Sequence, residues 1–322
     1  MPTLYMERWR TVKQFVVPPC RLTVTMPYAR VGGVPMVSAP PPPCPDQWIA
    51  DMSPDYPPDL IPGLLPSWGV CLIAGETEVG KTLVALEIAQ ACLSGTPLWG
   101  SLQPTRIVPR TMYCLGEHHR ETVKELWKKL QIPVPDERAF TLLGPEHRQF
   151  LVQRGVPANG AVRILGSWGH GAGLITFDPL LAFATGFSIE NDNALMRQLI
   201  NAMEDVARMA PQAACLVLSH MGKPQWDQEA RTHRRRPTYA TRGASAIEDS
   251  VMACWYMEER APGCFKLTRR KYKGDAPTAY YLLRDSSTLR HASVTLPVWR
   301  GKVRAARPHE EPPEEAEWEG RK

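Results

Sequence analysis

The sequence carries, at residues 75–82, the octapeptide Gly75-Glu76-Thr77-Glu78-Val79-Gly80-Lys81-Thr82, which fits the phosphate-binding pattern G-x-x-x-x-G-K-[ST] at every fixed position. The apolar run 69–74 before it predicts a buried strand, and the run 83–93 after it predicts a helix with apolar residues on most faces. In this context glycines let backbone N–H groups surround phosphate oxygens, and the helix N-terminus adds the positive end of its dipole. The alternative is a chance glycine-rich turn before a helix, and both flanks argue against it. The octapeptide therefore predicts a nucleoside triphosphate site.

The residue types of this loop indicate which groups they bind. We expect Lys81 to reach the β- and γ-phosphates and Thr82 to place its hydroxyl on Mg²⁺. The cofactors are therefore predicted to be ATP and Mg²⁺, held by the whole octapeptide together with Leu83. A regulatory GTPase is disfavoured, because the chain contains no N-K-x-D sequence for reading guanine.

Composition limits the class of protein. The 322 residues, 43% of them hydrophobic, can bury a full α/β core. No apolar stretch approaches the roughly 18–20 residues of a membrane span, and charges such as Glu7 and Arg8 interrupt any signal peptide. The eight cysteines contain no C-x-x-C pair and lie mostly in apolar runs, which is typical of reduced thiols. The sequence therefore predicts a cytoplasmic protein with no membrane segment.

Strand and helix patterns alternate from residue 69 to about 285, which is typical of an α/β protein whose mainly parallel sheet is covered on both faces by helices. We predict three regions: a proline-rich, weakly structured leader over 1–60, a nucleotide-hydrolysing domain over 61–290, and a disordered acidic C-terminal tail over 291–322. The leader is more typical of a plain linker than of a partner-binding segment. The tail is more typical of a solubilising segment than of one that competes with DNA for the basic loops or docks a protein partner.

Three further predicted strands end at side chains that could act on a nucleotide. Glu117 follows the strand 111–115, Asp178 ends the strand 173–178, and His220 ends the strand 213–220. Ligands of open α/β sheets gather at the carboxyl ends of the strands. We therefore expect Asp178 to hold the Mg²⁺ shell, Glu117 to act as general base toward water, and His220 to sense the γ-phosphate.

Each of these residues also has a structural interpretation. Asp178-Pro179 is a common turn sequence, and Glu117 could be a capping or surface glutamate before a helix. A lone histidine such as His220 is more often structural than functional. The agreement of four strand ends at one sheet edge favours the functional interpretation of all three.

A basic segment, 223–242, indicates a nucleic-acid contact. It holds six basic residues against two acidic ones, and two aromatic rings in it could stack on bases. A solvated loop is the alternative, since charge runs usually are solvated. The basic residues are Lys223, Arg231, Arg234, Arg235, Arg236 and Arg242, and the rings are Trp226 and Tyr239. We expect this segment to bind single-stranded DNA.

As an ordered set, the motifs resemble those of the RecA-like ATPases of the plasmid RepA type, a branch of the hexameric helicase group that includes the DnaB-type replicative enzymes. The resemblance covers roughly residues 60–285. Its pieces are the segments 74–82, 113–117 (Y-C-L-G-E), 175–180 (I-T-F-D-P-L), 190–193 (E-N-D-N), 218–223 (L-S-H-M-G-K) and 242–247 (R-G-A-S-A-I).

The resemblance implies a role for each matching position. Lys81, Thr82, Glu117, Asp178 and His220 take the roles given above. In addition, Arg242 matches an arginine that reaches the nucleotide of the next subunit, and the segment 271–274 is similar to a K-x-R-x-G segment that also donates cations across the interface, through Lys271 and Lys273 here. Lys273 replaces the family's arginine and lacks its planar fork, so the trans role weakens or moves to Arg242, Arg269 or Arg270.

We interpret the chain as an ATP-hydrolysing RecA-like DNA motor, a ring-forming replicative helicase or replication protein that assembles as a homo-oligomer, with a hexamer expected from the resemblance. One alternative is a DNA-binding recombinase or annealing ATPase that does not unwind. Another is a nucleotide-gated binding adaptor with little turnover, against which Lys81, Glu117 and Asp178 argue.

Overall fold

The computed structural model describes residues 57–133, 136, 138–185, 193–210, 213–220, 225–227, 232–234, 244–272 and 276–306; for 225–227, 232–234 and 244–246 it describes the backbone only. Several predictions concern other residues and lie outside this part of the chain. They are the leader up to residue 56, Arg242, Lys273 and the acidic tail beyond residue 306.

The described chain contains fourteen strands and six α-helices. The strands are β1 (Val70–Gly75), β2 (Thr111–Leu115), β3 (Phe140–Leu143), β4 (Val152–Gln153), β5 (Val156–Pro157), β6 (Leu174–Asp178), β7 (Ala184–Thr185), β8 (Ala214–His220), β9 (Gln225–Asp227), β10 (Thr232–Arg234), β11 (Ala253–Ala261), β12 (Cys264–Tyr272), β13 (Ala279–Arg284) and β14 (His291–Ser293). The helices are α1 (Lys81–Ser94), α2 (Arg120–Lys129), α3 (Asn159–Trp168), α4 (Asn193–Arg208), α5 (Ala244–Ser250) and α6 (Leu296–Ala306), with 3₁₀ turns at Pro145–His147 and Leu180–Phe183.

Nine strands form one sheet in the order β14-β13-β12-β11-β1-β8-β6-β2-β3. The six strands from β11 to β3 are parallel, and β12, β13 and β14 continue the sheet antiparallel. Strand β1 lies inside the sheet, and every residue of it is buried, which explains its unbroken apolar sequence. The prediction of an α/β fold with a phosphate loop and a mainly parallel sheet is confirmed.

Helices cover both faces of this sheet. On one face α1 packs against β1 and β8, and its apolar residues on nearly all sides are buried, including Val84, Leu86 and Ile88. On the other face α3 and α4 pack beneath the parallel strands, where α4 buries a stripe that includes Leu199 and Met203. Helix α4 is amphipathic because its opposite side faces solvent, whereas α1 has no such side.

The four strands that the sequence places before the loop and before Glu117, Asp178 and His220 are confirmed as β1, β2, β6 and β8. The helix predicted after the loop is confirmed as α1. Strand β3, helix α3 and the strands β13 and β14 had not been predicted. No helix in the described part of the chain has the length and apolar character needed to span a bilayer.

The structure corrects the prediction that a disordered tail begins at residue 291. Residues 291–293 form β14, and α6 follows it, because Trp299 and Val303 bury themselves against Ala261 and Cys264. Any acidic tail therefore begins after the helix ends, at a position outside the described residues. The basic segment 223–242, predicted as a loop, contains the antiparallel strand pair β9 and β10.

A buried glutamate joins α1 to the antiparallel edge of the sheet. Glu87 accepts hydrogen bonds from Trp99 Nε1 at 3.1 Å and from the backbone N–H of His291 at 2.7 Å, and its Oε2 lies 2.8 Å from His291 Nδ1. A buried carboxylate is costly without partners, and this one has three. Glu87 therefore fixes β14 against the helix that follows the phosphate loop.

We predict that Glu87→Ala lowers the free energy of unfolding by about 2–4 kcal/mol, because it leaves buried donors of Trp99 and His291 without an acceptor. Urea unfolding followed by circular dichroism measures the change. Glu125→Ala, at an exposed position of α2, is the matched control and should change stability by less than about 0.5 kcal/mol. A Glu87 variant as stable as this control would contradict the role given to the buried glutamate.

Candidate active site

The parallel strands bring residues that are far apart in sequence to one edge of the sheet, namely the edge formed by the carboxyl ends of these strands. Strand β8 lies between β1 and β6, and β2 lies beyond β6. The register pairs Gly75 with His220 and Leu115 with Asp178, so these strand ends are level with one another. Glu117 follows β2 by two residues. The structure thus brings together the phosphate loop, Glu117, Asp178 and His220, as the sequence predicts.

The loop itself needs glycine at two positions. A Cβ on Gly75 would lie 2.6 Å from the backbone oxygen of Met257, which is too close for any side chain. Gly80 has φ 98°, a left-handed conformation that favours glycine, and α1 begins at the next residue. Both glycines therefore allow the backbone to turn tightly into the helix N-terminus, where N–H groups can bind phosphate.

Lys81 is folded back onto its own loop. Its Nζ donates to the backbone oxygens of Gly75, at 3.1 Å, and Glu76, at 2.7 Å, and the residue is only 5% exposed. Burial lowers the pKa of Lys81 to about 8, although the negative charges of Asp178, Glu117 and Glu76 act in the opposite direction. The ammonium group is therefore buried at the loop, where backbone oxygens accept its hydrogen bonds.

Asp178 joins three elements through one oxygen. Its Oδ2 accepts hydrogen bonds from Thr82 Oγ1 and from Tyr113 OH, both at 2.8 Å, and the residue is 4% exposed. Burial raises the pKa of Asp178, while these two hydrogen bonds and the charges of His118 and Lys81 oppose that rise. The predicted pair of Mg²⁺ ligands, Thr82 and Asp178, is thus in direct contact.

Tyr113 is a site residue that the sequence analysis missed. It pairs with Thr176 across β2 and β6, so it lies on the same face as Asp178, two residues further along. Burial and the neighbouring Asp178 carboxylate raise the pKa of Tyr113 well above its usual value, so the hydroxyl remains a donor. The available signal was a tyrosine within an apolar strand, since a buried hydroxyl needs a partner.

Glu117 and His220 face each other across the edge of the sheet. Glu117 Oε2 lies 3.7 Å from His220 Nε2, and the glutamate side chain is 52% exposed. Burial and the nearby Lys81 lower the pKa of His220, against the attraction of Glu117 and Asp178. Burial therefore favours the neutral form of His220, and the Glu117 side chain is accessible to solvent.

Backbone contacts fix the short segment that carries Glu117. The N–H of Gly116 donates to the backbone oxygen of Asp178 at 2.7 Å, and the backbone oxygen of Gly116 accepts a 2.7 Å hydrogen bond from Arg148 Nη1. The Arg148 guanidinium also lies 4.7 Å from the centre of the Phe150 ring. A Cβ on Gly116 would collide with the Ala182 Cβ at 2.0 Å, so glycine is required there. Sequence reasoning missed Arg148, and no local motif marks it.

The structure places Lys271 away from this edge. Its Nζ donates to the backbone oxygens of Glu248, at 2.8 Å, and Asp249, at 2.7 Å, at the end of α5 in the same chain. The neighbouring Tyr272 pairs with Ala253, which in turn pairs with Cys71 near the start of β1. Lys271 therefore lies at the opposite edge of the sheet and cannot reach the phosphate loop of its own chain.

The oxygen donors of Thr82 and Asp178 are of the type that Mg²⁺ prefers, and they lie beside a loop suited to phosphate. Within the described residues there is no cluster of three or more His, Cys, Asp or Glu side chains of the kind that holds a metal ion without a nucleotide. This combination fits an ion that is bound jointly by the protein and by the phosphates. The arrangement thus brings together at one edge the Lys81 ammonium group, two candidate metal ligands and a carboxyl group that solvent can reach.

Two solved structures are similar to part of this chain. The ATPase domain of G40P is 13% identical, with a TM-score of 0.48 and coverage of 71% of this chain and 86% of that chain. The flagellar accessory protein FlaH from Methanocaldococcus jannaschii is 12% identical, with a TM-score of 0.45 and coverage of 70% and 89%. Both TM-scores are too low to support an argument. Comparison with curated proteins gave no match.

A comparison with family models is more informative. The model of an AAA domain matches residues 38–225, which is more than half of the chain. The matched segment contains the phosphate loop and the strands β2, β6 and β8 with the side chains at their ends. This chain therefore belongs to the AAA domain family of ATPases.

Proposed function

We propose that this protein is an ATP-driven DNA motor, a ring-forming replicative helicase or replication protein of the RepA type, related to the DnaB branch. The observation that carries the proposal is the meeting of Lys81, Thr82, Asp178, Glu117 and His220 at one sheet edge. Those five residues supply the parts that ATP hydrolysis needs: charge for the phosphates, ligands for the metal, and a base for water.

Hydrolysis begins with a water placed by Glu117. The carboxylate accepts a proton as the water oxygen forms a bond to the γ-phosphorus, and the bond from that phosphorus to the bridging oxygen breaks. The products are ADP and inorganic phosphate. Lys81 leaves its carbonyl partners and binds the phosphate oxygens, where it stabilises the charge that develops during the transfer. His220, 3.7 Å from Glu117, is placed to register whether a γ-phosphate is present.

The metal site would form from Thr82 and Asp178. When bound there with ATP, Mg²⁺ neutralises the charge of the β- and γ-phosphates. The Thr82 hydroxyl and the Asp178 carboxylate, now hydrogen-bonded to each other, would hold the ion, and the hydrogen bond from Tyr113 would keep the carboxylate oriented. Asp178 thus serves the metal shell while its position remains fixed by strand β6.

Assembly into a ring is part of the proposal. Lys271 lies at the sheet edge opposite the phosphate loop of its own chain, so in this proposal it contacts the loop of a neighbouring subunit. Arg242 is the arginine that the RepA-type resemblance assigns to the same trans position. A cation supplied by the next subunit couples hydrolysis to assembly, since the site is incomplete in a monomer.

DNA binding is assigned to the segment 223–242. Its six basic residues against two acidic ones supply an electrostatic contact to phosphates, and its strand pair β9–β10 follows directly after β8, which ends at His220. Changes at the γ-phosphate can therefore pass along the chain to the DNA segment within a few residues. A recombinase or annealing ATPase would share this arrangement, and only strand separation distinguishes the two.

One prediction from the proposed function concerns the rate of ATP hydrolysis. Single-stranded DNA should raise the steady-state rate of ATP hydrolysis several-fold, and Glu117→Gln should lower the stimulated rate by about a hundredfold or more, because the water loses its base. Glu121→Gln, on the exposed surface of α2, is the matched control and should hydrolyse ATP like the wild type. A rate of ATP hydrolysis that does not change when DNA is added would contradict the proposed DNA motor. Negligible hydrolysis by the wild type would favour a nucleotide-gated adaptor.

Another prediction from the proposed function concerns the pH dependence of ATP binding. Because the pKa of Lys81 is about 8 in the free protein and phosphate favours its charged form, binding of ATP above that pH must take up a proton. ATP affinity should therefore be flat below about pH 7.5 and fall by up to about tenfold per pH unit above about pH 8. Titration calorimetry over this range measures the effect.

The control for this experiment is Lys81→Arg, whose guanidinium stays charged throughout the range. Its ATP affinity, although weaker, should not change between about pH 7 and about pH 9.5. An equal decline in the wild type and in this variant would assign the pH dependence to another group.

A further inference from the structure

The antiparallel part of the sheet extends past the phosphate loop. Gly75, the last residue of β1, pairs with Met257, so the remaining residues of β11 run beyond the point where β1 ends. Strands β12 and β13 accompany this extension, and β13 ends at Arg284. The extension thus forms a wall beside the loop, on the side away from β8, β6 and β2.

Arg284 is the residue of this wall that reaches the loop. Its Nη1 lies 3.4 Å from the position that a Cβ on Gly80 would occupy, and Gly80 directly precedes Lys81. The side chain is 24% exposed, so it is held between the wall and solvent. Among the described residues, no hydrogen bond from Nη1 to an acceptor is formed. A guanidinium nitrogen therefore lies beside the phosphate loop with a donor to spare.

Two contacts of the guanidinium and one backbone hydrogen bond hold this residue in place. Its carbon lies 4.5 Å from the centre of the Phe265 ring, and its Nη2 lies 3.7 Å from Glu259 Oε1. Glu259 is itself fixed, because the same Oε1 accepts a 2.8 Å hydrogen bond from the N–H of Gly263. The backbone N–H of Arg284 donates to the Gly263 oxygen at 2.8 Å. The side chain is thus pre-organised, as a binding group requires.

The position of the catalytic carboxylates indicates which half of a nucleotide comes near Arg284. Asp178 and Glu117 belong to β6 and β2, on one side of β1, and the γ-phosphate must face them. Arg284 stands on the other side of β1, beside the β11–β13 wall. A nucleotide whose phosphates lie along the loop therefore directs its nucleoside toward this wall.

We propose that Arg284, with Glu259, forms the nucleoside subsite and that Arg284 is a specificity-determining residue for it. This inference rests on the proposed ATP site and adds the group that separates a nucleotide from a bare polyphosphate. The guanidinium plane can stack on the base, as it does on Phe265, and the Glu259 carboxylate can accept from ribose hydroxyls. The chemistry required of the ligand is a ribonucleoside attached to the phosphate chain.

The test compares Mg²⁺-ATP with Mg²⁺-tripolyphosphate, which keeps the phosphates and lacks the nucleoside. Titration calorimetry on the full chain gives both affinities for the wild type and for Arg284→Ala. We expect the variant to bind ATP about tenfold more weakly and to bind tripolyphosphate as the wild type does. Arg290→Ala, an exposed arginine on the connection between β13 and β14, is the matched control and should leave both affinities unchanged.

Each other outcome overturns the inference. An equal loss for both ligands would mean that Arg284 acts on the phosphates or on the loop, and no loss for either would mean that it has no part in binding. Unchanged tripolyphosphate binding also shows that the variant is folded. A wild type that binds tripolyphosphate as tightly as ATP would remove the subsite but leave the phosphate loop in place. A wild type that binds neither would overturn the proposed function itself.

Discussion

The buried carboxylate of Asp178 is the contact on which the rest of the site depends. One of its oxygens accepts hydrogen bonds from Thr82, at the start of α1, and from Tyr113, within β2, so a helix and two strands are fixed to one point. A carboxylate that is 4% exposed requires such partners, because desolvation of an unpaired charge is costly. The same arrangement leaves Lys81 next to a negative charge on one side and to loop carbonyls on the other. The conformation of the loop is therefore fixed by contacts of Lys81 and Thr82 within the chain.

The parallel sheet determines which residues can meet at this point. Strands β1, β8, β6 and β2 are neighbours although they are far apart in sequence, and their carboxyl ends are level. The antiparallel strands β12 and β13 extend this edge on the other side of β1 and bring Arg284 to the loop. In our proposals the sheet thus separates two tasks, with the phosphate chemistry on the β6 and β2 side and nucleoside binding on the β13 side. Lys271 lies at the opposite edge of the sheet, where in the ring that we propose it would face another subunit.

Sequence patterns could predict the central strands and the side chains that end them, because a parallel strand is a continuous apolar run and its last residue faces the ligand. They could not predict Tyr113, Arg148 or Arg284, whose roles depend on which strands become neighbours and on the register between them. The prediction of a disordered tail from residue 291 was wrong for a similar reason: Trp299 and Val303 find buried partners on β11 and β12 that are distant in sequence. Local composition described the charges of this region correctly and could not describe the packing.

The measurement that tests the central claim most directly is the contribution of Mg²⁺ to ATP affinity, in the wild type and in Asp178→Asn. Thr82 and Asp178 are the two Mg²⁺ ligands in our account, so Mg²⁺ should strengthen ATP binding by the wild type by about tenfold or more. The amide cannot replace the charge of the carboxylate, and the variant should lose most of that gain while still binding ATP without the metal. Asp205→Asn, at an exposed position of α4, is the control. An Asp178→Asn variant that keeps the full gain from Mg²⁺ would contradict the account.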